Sequence, residues 1–236
     1  MVKYNIFSRI NQGGLKLTPQ EIRHALHQVT SADLVADLVR STDAIREDGT
    51  IDDKKMATEE GKAFVKVTEG KIRTKRMEDR NFATRFVSFY LIDYKEYEPD
   101  MDSFMNRGMG KIKELKQEGI RKLKDDFKAA VELAYEIFGN DAFRKRLDLA
   151  EPRKPINKAI FEVFSVLIAK LSIAERMVLA DKKERLKSEF MEFLRNDKER
   201  YFQSVTTGTA LKDMVYIRFS LTEKMILKTL AHHRKP

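Results

Sequence analysis

Apolar residues recur at helical spacing along almost the whole chain. Ile22, Ala25, Leu26 and Val29 fall on one side of 20–28, the i, i+3, i+4, i+7 pattern of an amphipathic helix. Thr18-Pro19-Gln20-Glu21 opens it. Thr18 suits an N-cap, Pro19 the first helical position, and Glu21 the reciprocal site of a capping box. Gly13-Gly14 breaks the chain before it, so 1–12 reads as a helix end and 12–17 as a tight loop. Ser31 caps a second helix with Leu34, Val35, Leu38 and Val39 inward. Residues 41–61 are polar and read as a surface loop. Ala63-Phe64-Val65-Lys66-Val67 has no clear period, leaving room for a small irregular or hairpin insert near 61–75.

The helical pattern then returns. Met77, Phe82, Phe86, Phe89 and Tyr90 gather on one side of 77–92. Residues 101–138 form a long helical stretch, open to interruption at Gly108, Gly110 and Gly119, with Gly139 as its C-cap. Residues 157–171 are nearly all apolar and read as the central buried helix. Asp181 caps 182–195, and 210–232 is the last helix. The expected fold is all-α, a bundle of about eight to ten helices.

Composition agrees. In 236 residues, 42% are hydrophobic and 35% charged, a globular balance with enough chain for a sizeable core. There is no Cys, which excludes disulfides, thiolate metal sites and a cysteine nucleophile and fits a cytoplasmic protein. No apolar run approaches the ~18 residues of a membrane span, so no membrane partner is expected. The net charge of +9 is uneven. Residues 1–60 carry 8 basic and 10 acidic side chains, 61–128 carry 17 and 12, and 129–236 carry 21 and 15. A polyanion partner such as DNA would meet the last three quarters of the chain.

Candidate chemistry is sparse. The chain has no Walker loop, no G-x-G-x-x-G and no H-E-x-x-H. His24 and His27 have a spacing that could hold a metal, without an evident third ligand; packing or surface roles suit them, and the tail His232 and His233, better. The acidic pairs Asp52-Asp53 and Glu59-Glu60 read as loop residues. Thus no metal site and no catalytic residue are expected. Lys111, Lys113, Lys116, Arg121, Lys122 and Lys124 interleave with Leu115, Ile120 and Leu123. They form either a phosphate-contacting face or a solvated basic one. Arg76, Arg80 and Arg85 lie beside the aromatic stripe, where they can bind an anion or be absorbed by Glu78 and Asp79. The string Phe7-x-Arg9-Ile10-Asn11-x-Gly13-Gly14-x-x-Leu17-x-x-Gln20-Glu21-x-Arg23 combines an Arg, an Asn, a Gly-Gly loop and a capped helix start. It suits a phosphate or serves as a structural turn.

That string resembles the second signature of the GmrSD-type restriction endonuclease amino-terminal domain family, the DGQQR-motif, ParB/sulfiredoxin-like family. Downstream strings resemble its later landmarks: Arg76-Met77-x-Asp79-Arg80 with Arg85-Phe86, Phe138-Gly139 with Ala142-Phe143-Arg144-Lys145, Ile156-Asn157-Lys158-Ala159-Ile160-Phe161-Glu162, and Thr207-Gly208 with Arg218-Phe219. The Asp-Gly-Gln-Gln-Arg string, the family's nucleotide-binding and hydrolytic element, is absent from this sequence, as is a nuclease pattern of HNH type. The resemblance thus implies the helical part of a phage-defence protein that restricts modified DNA. It would be a truncated gene, a split partner or a chain with a misplaced start, and inactive alone. Residues 1–30 would close the DGQQR domain, and 31–236 would form the helical bundle. Arg9, Asn11, Gly13, Gly14, Gln20 and Arg23 would be its share of a nucleotide or phosphate pocket. The chain alone would need no cofactor. An NTP with a divalent metal would enter only with a DGQQR-containing half encoded upstream. The alternative is a non-enzymatic helical module that binds DNA or a protein partner.

Overall fold

The computed structural model describes residues 16–27, 29–43, 52, 55–148, 150–196 and 200–231. Helix α1 (Pro19–Leu26) begins as its sequence directs. The Thr18 hydroxyl accepts from Glu21 N–H at 3.2 Å, and the Glu21 carboxylate accepts from Thr18 N–H at 2.7 Å. In α2 (Thr30–Asp37) Ser31 is not the cap. Val29 holds that position, and the buried Ser31 hydroxyl instead donates to Met109 O at 2.8 Å. Helix α3 (Glu59–Thr68) is capped by Thr58, whose hydroxyl accepts from Gly61 N–H at 3.0 Å. It takes the 61–68 part of the expected insert, with Phe64 and Val67 inward at helical spacing and Lys62 and Lys66 outward. Residues 69–74 are irregular and run into a 3-10 turn at Lys75–Met77. Among the described residues the sole β feature is a bridge between Arg144 and Ile156.

Helices α4 (Glu78–Leu91), α5 (Met101–Ile112) and α6 (Gln117–Phe138) follow. The expected single stretch over 101–138 is therefore two helices, broken at 113–116. Gly108 is not the break; it lies inside α5, where the backbone of α4 comes close. A Cβ there would sit 2.2 Å from Ser88 Oγ and 2.7 Å from Ser88 Cα. Gly108→Ala gains roughly 1 kcal/mol of helix propensity, but overpacking against backbone costs about 1–3 kcal/mol or more. The net result is a lower melting temperature, by about 2–4 °C per kcal/mol. A thermal melt that rises instead would show that α4 and α5 can separate freely.

Helix α7 (Lys158–Ala169) is the axis of the bundle. Asn157 caps it, accepting from Ala159 and Ile160 N–H at 2.9 and 3.0 Å. Every residue from Ala159 to Ala169 is buried, against α4, α6 and α11 (Lys212–Ala231). Phe161 meets Phe64, Phe82 and Phe143 with ring centroids 5.9, 5.1 and 4.8 Å apart, all edge-on, the geometry aromatic quadrupoles prefer. Three further helices complete the bundle: α8 (Ile173–Asp181), α9 (Lys183–Asn196) and α10 (Tyr201–Ser204). The sequence pattern missed α8, because only Leu179 on it is buried. Asp181 ends α8 rather than capping α9. With eleven α-helices and no strand among the described residues, the fold is all-α. No helix among them is long and apolar enough to cross a membrane.

Candidate anion-binding groove

Among the described residues a groove of about 1290 Å³ opens on one side of the bundle. Its floor is the first half of α4. One wall is the 69–77 loop, another the 144–158 loop, and the remainder comes from the starts of α1 and α5. Eight cationic side chains line it, against four carboxylates.

The cations differ in how they are held. At the rim Lys71, Arg73 and Lys75 are exposed and form no ion pair among the described residues. Arg76 bonds Lys16 O and pairs with Glu21 at 3.1 Å. Lys158 pairs with Glu78 at 2.8 Å.

Two deeper clusters share one composition: two guanidiniums around one carboxylate. In the first, Glu162 is fully buried on α7. Its Oε1 accepts from Arg218 Nε at 2.8 Å and from Arg218 Nη2, and its Oε2 accepts from Arg85 Nη1 at 2.6 Å. Arg218 is also fully buried, and its Nη1 donates to Thr209 O at 2.7 Å. Arg85 retains 14% exposure and lines the groove. In the second, Glu69 Oε2 accepts from Arg144 Nη2 and Arg153 Nη1, both at 2.9 Å. Arg144 is buried and also donates to Asn140 O and Lys154 O, while Arg153 is 41% exposed. Burial works against the Glu69 carboxylate, but Arg153 and Arg144 outweigh it and hold its pKa below the ordinary carboxylate value. Near the first cluster, burial pushes the Tyr97 phenol up to about 12, with Arg218 opposing.

Comparison with protein-family models, with curated proteins and with solved structures gave no match. The functional reading therefore rests on this geometry.

Of the sequence-derived pocket, Arg9, Asn11, Gly13 and Gly14 lie outside the described residues. Gln20 is 2% exposed at the groove's edge. Its Nε2 donates to Thr84 Oγ1 at 2.9 Å and its Oε1 accepts from Arg23 Nε at 3.1 Å. Arg23 is fully buried and holds Asp102 Oδ1 at 3.2 Å through both terminal nitrogens. The capping box engages the N–H groups of Thr18 and Glu21. These described members of the string thus tie α1 to α4 and α5.

The basic run over 111–124 is not one helix face. Lys111 is in α5, Lys113 and Lys116 lie in the break, and Arg121, Lys122 and Lys124 are on α6. Lys111, Lys122 and Lys124 pair with Glu114, Asp126 and Asp37 at 2.8, 2.5 and 3.3 Å. Lys113, Lys116 and Arg121 are exposed without an ion pair among the described residues.

Glu78 and Asp79 do not absorb Arg76 and Arg85, whose partners are Glu21 and Glu162. Arg80 lies 3.0 Å from His24 Nε2. Burial, then the Arg80 charge, lowers the His24 pKa. Among the described residues no group of three His, Asp or Glu is placed to hold a metal. Asp53, His232 and His233 lie outside them, and Glu59 and Glu60 begin α3.

Sequence reasoning had not assigned Lys71, Arg73, Lys75, Arg144 or Arg153 to a site. The only signal was the positive balance of 61–128 and 129–236.

Proposed function

We propose that the chain is a non-enzymatic nucleic-acid-binding helical module that holds a phosphate backbone in this groove. The observation that carries the reading is the twofold excess of cations over carboxylates in a single concavity. Guanidinium forks and flexible ammonium groups are the side chains that neutralise phosphates. The contact would be sequence-independent and salt-sensitive, with dissociation constants of about 10⁻⁴–10⁻⁶ M at physiological salt.

A labelled oligonucleotide titrated with the chain tests it. Binding should weaken linearly in log Kd against log salt. An anisotropy signal that stays flat at low salt would overturn the reading.

A second reading is favoured by the course of residues 16–20. Here Lys16 O bonds Arg76, and Thr18, Pro19 and Gln20 line the groove, so the described residues 16–20 of the string that resembles the restriction-family signature lie beside the basic cleft. Under this reading the chain is the helical part of a DGQQR-type defence protein. It would work in the cytoplasm, with the NTP and divalent metal engaged by a DGQQR-containing segment or partner. NTP hydrolysis should then be absent from the chain alone and gained on co-expression with an adjacent DGQQR reading frame. No gain with such a frame would remove this reading and leave the first.

A further inference from the structure

Resting on the nucleic-acid reading, we infer that the groove contains two separate phosphate seats, at Arg85 and at Arg153, each built from a pair of guanidiniums sharing a single carboxylate. The two clusters have the same internal logic. In each, one guanidinium is buried with all three nitrogens engaged: Arg218 by Glu162 and Thr209 O, Arg144 by Glu69, Asn140 O and Lys154 O. The carboxylate neutralises one of the two cations. The second guanidinium reaches the groove with bonding capacity left. Among the described residues, Arg85 uses Nη1 on Glu162, its Nε is buried without a partner, and its Nη2 makes no hydrogen bond. Among the described residues Arg153 bonds only through Nη1, to Glu69 and to Asn140 O. Each cluster therefore carries one net positive charge, and its less buried guanidinium, which lines the cavity, keeps donor capacity that the cluster does not use.

Donors without acceptors select an anion. Asn81, one turn before Arg85 on α4, also lines the groove; its Oδ1 is buried without a hydrogen-bond partner, so this amide adds an unused acceptor and the anion preference rests on the two guanidiniums. Fixed, planar donors suit phosphate oxygens better than a mobile ammonium would. Two single charges at separate points of one cavity would each take one monoanionic phosphate of a strand. The exposed Lys71, Arg73 and Lys75 would then guide the strand in rather than read it.

The test uses the full chain and a fluorescein-labelled oligonucleotide of roughly 20 nucleotides, longer than a single-fold footprint, as single strand and as duplex. Each neutralised phosphate contributes about 0.7 to the log–log salt slope on a single strand and about 0.9 on duplex. Arg85→Gln and Arg153→Gln should each reduce the slope by about one such increment, and the double variant by about two. Arg85→Lys should keep the wild-type slope, because the charge is retained. Arg153 is exposed enough that Arg153→Gln tests the second seat even if Arg85→Gln fails to fold. Binding by all variants with the wild-type slope would overturn the two seats while leaving nucleic-acid binding intact. Absence of binding by the wild-type chain would overturn the parent reading instead. Polyglutamate competing as well as DNA at equal charge would overturn phosphate as the ligand.

Discussion

Glu162→Gln will destabilise the chain by about 3–5 kcal/mol, the cost of breaking a buried ion pair from one side. Glu162 and Arg218 are both fully buried, and Arg85 is the only member of the cluster that reaches solvent. The neutral amide cannot compensate two guanidiniums. It also replaces an acceptor oxygen with an N–H group that faces other donors. Arg218 cannot swing to water, because its Nη1 is held by Thr209 O and its helix is packed on α7. At about 2–4 °C per kcal/mol for a chain of this size, the melting temperature should fall by roughly 6–20 °C. Replacing the buried pair together, Glu162→Leu with Arg218→Met, should recover part of that loss, since apolar isosteres of buried ion pairs are often neutral and only Arg85, which already reaches the groove, is left without its carboxylate. Thermal melts of the single and double variants check both statements. A loss under about 1 kcal/mol for Glu162→Gln would mean that water reaches the cluster and screens it.

That cluster also shows what the sequence could reveal and where it stopped. Helices were legible where the apolar period was long and the ends carried side-chain caps, as at Thr18 and Asn157. The pattern failed at 61–68, since Phe64 and Val67 are spaced as in a helix but Val65 between them blurs the period. It failed again at α8, a short helix with little buried face. Gly108 had suggested a break and proved to be a close contact between helices, which needs the partner's position to recognise. The groove was the least legible part. Arg85, Arg144, Glu162 and Arg218 each stood in a quoted string, but nothing in spacing says that Glu162 receives both Arg85 and Arg218. Long-range ion pairs leave no periodic trace. Local charge runs do, and they drew attention to 111–124, where the structure finds three of the six cations paired with acids nearby.

The rim offers the largest expected effect on binding. Lys71→Glu/Arg73→Glu/Lys75→Glu reverses three exposed charges that take no ion partner among the described residues. Exposed substitutions of this kind change stability by about 0.5 kcal/mol or less each, so the fold should survive. The groove, however, falls from eight cations against four carboxylates to five against seven. A phosphate backbone would then meet a repulsive mouth, and few counterions would be released on contact. DNA affinity at low salt should drop by about 100-fold or more, with a shallower salt dependence. The matched control is Lys113→Glu/Lys116→Glu/Arg121→Glu at the α5–α6 corner, which makes the same charge change on an equally exposed surface. If the groove is the interface, the control should keep affinity within about tenfold, since distant charges act only through the screened field. Were the corner variant the one to lose binding, the phosphate-contacting surface would be the break between α5 and α6, and the groove's charge would serve the fold alone.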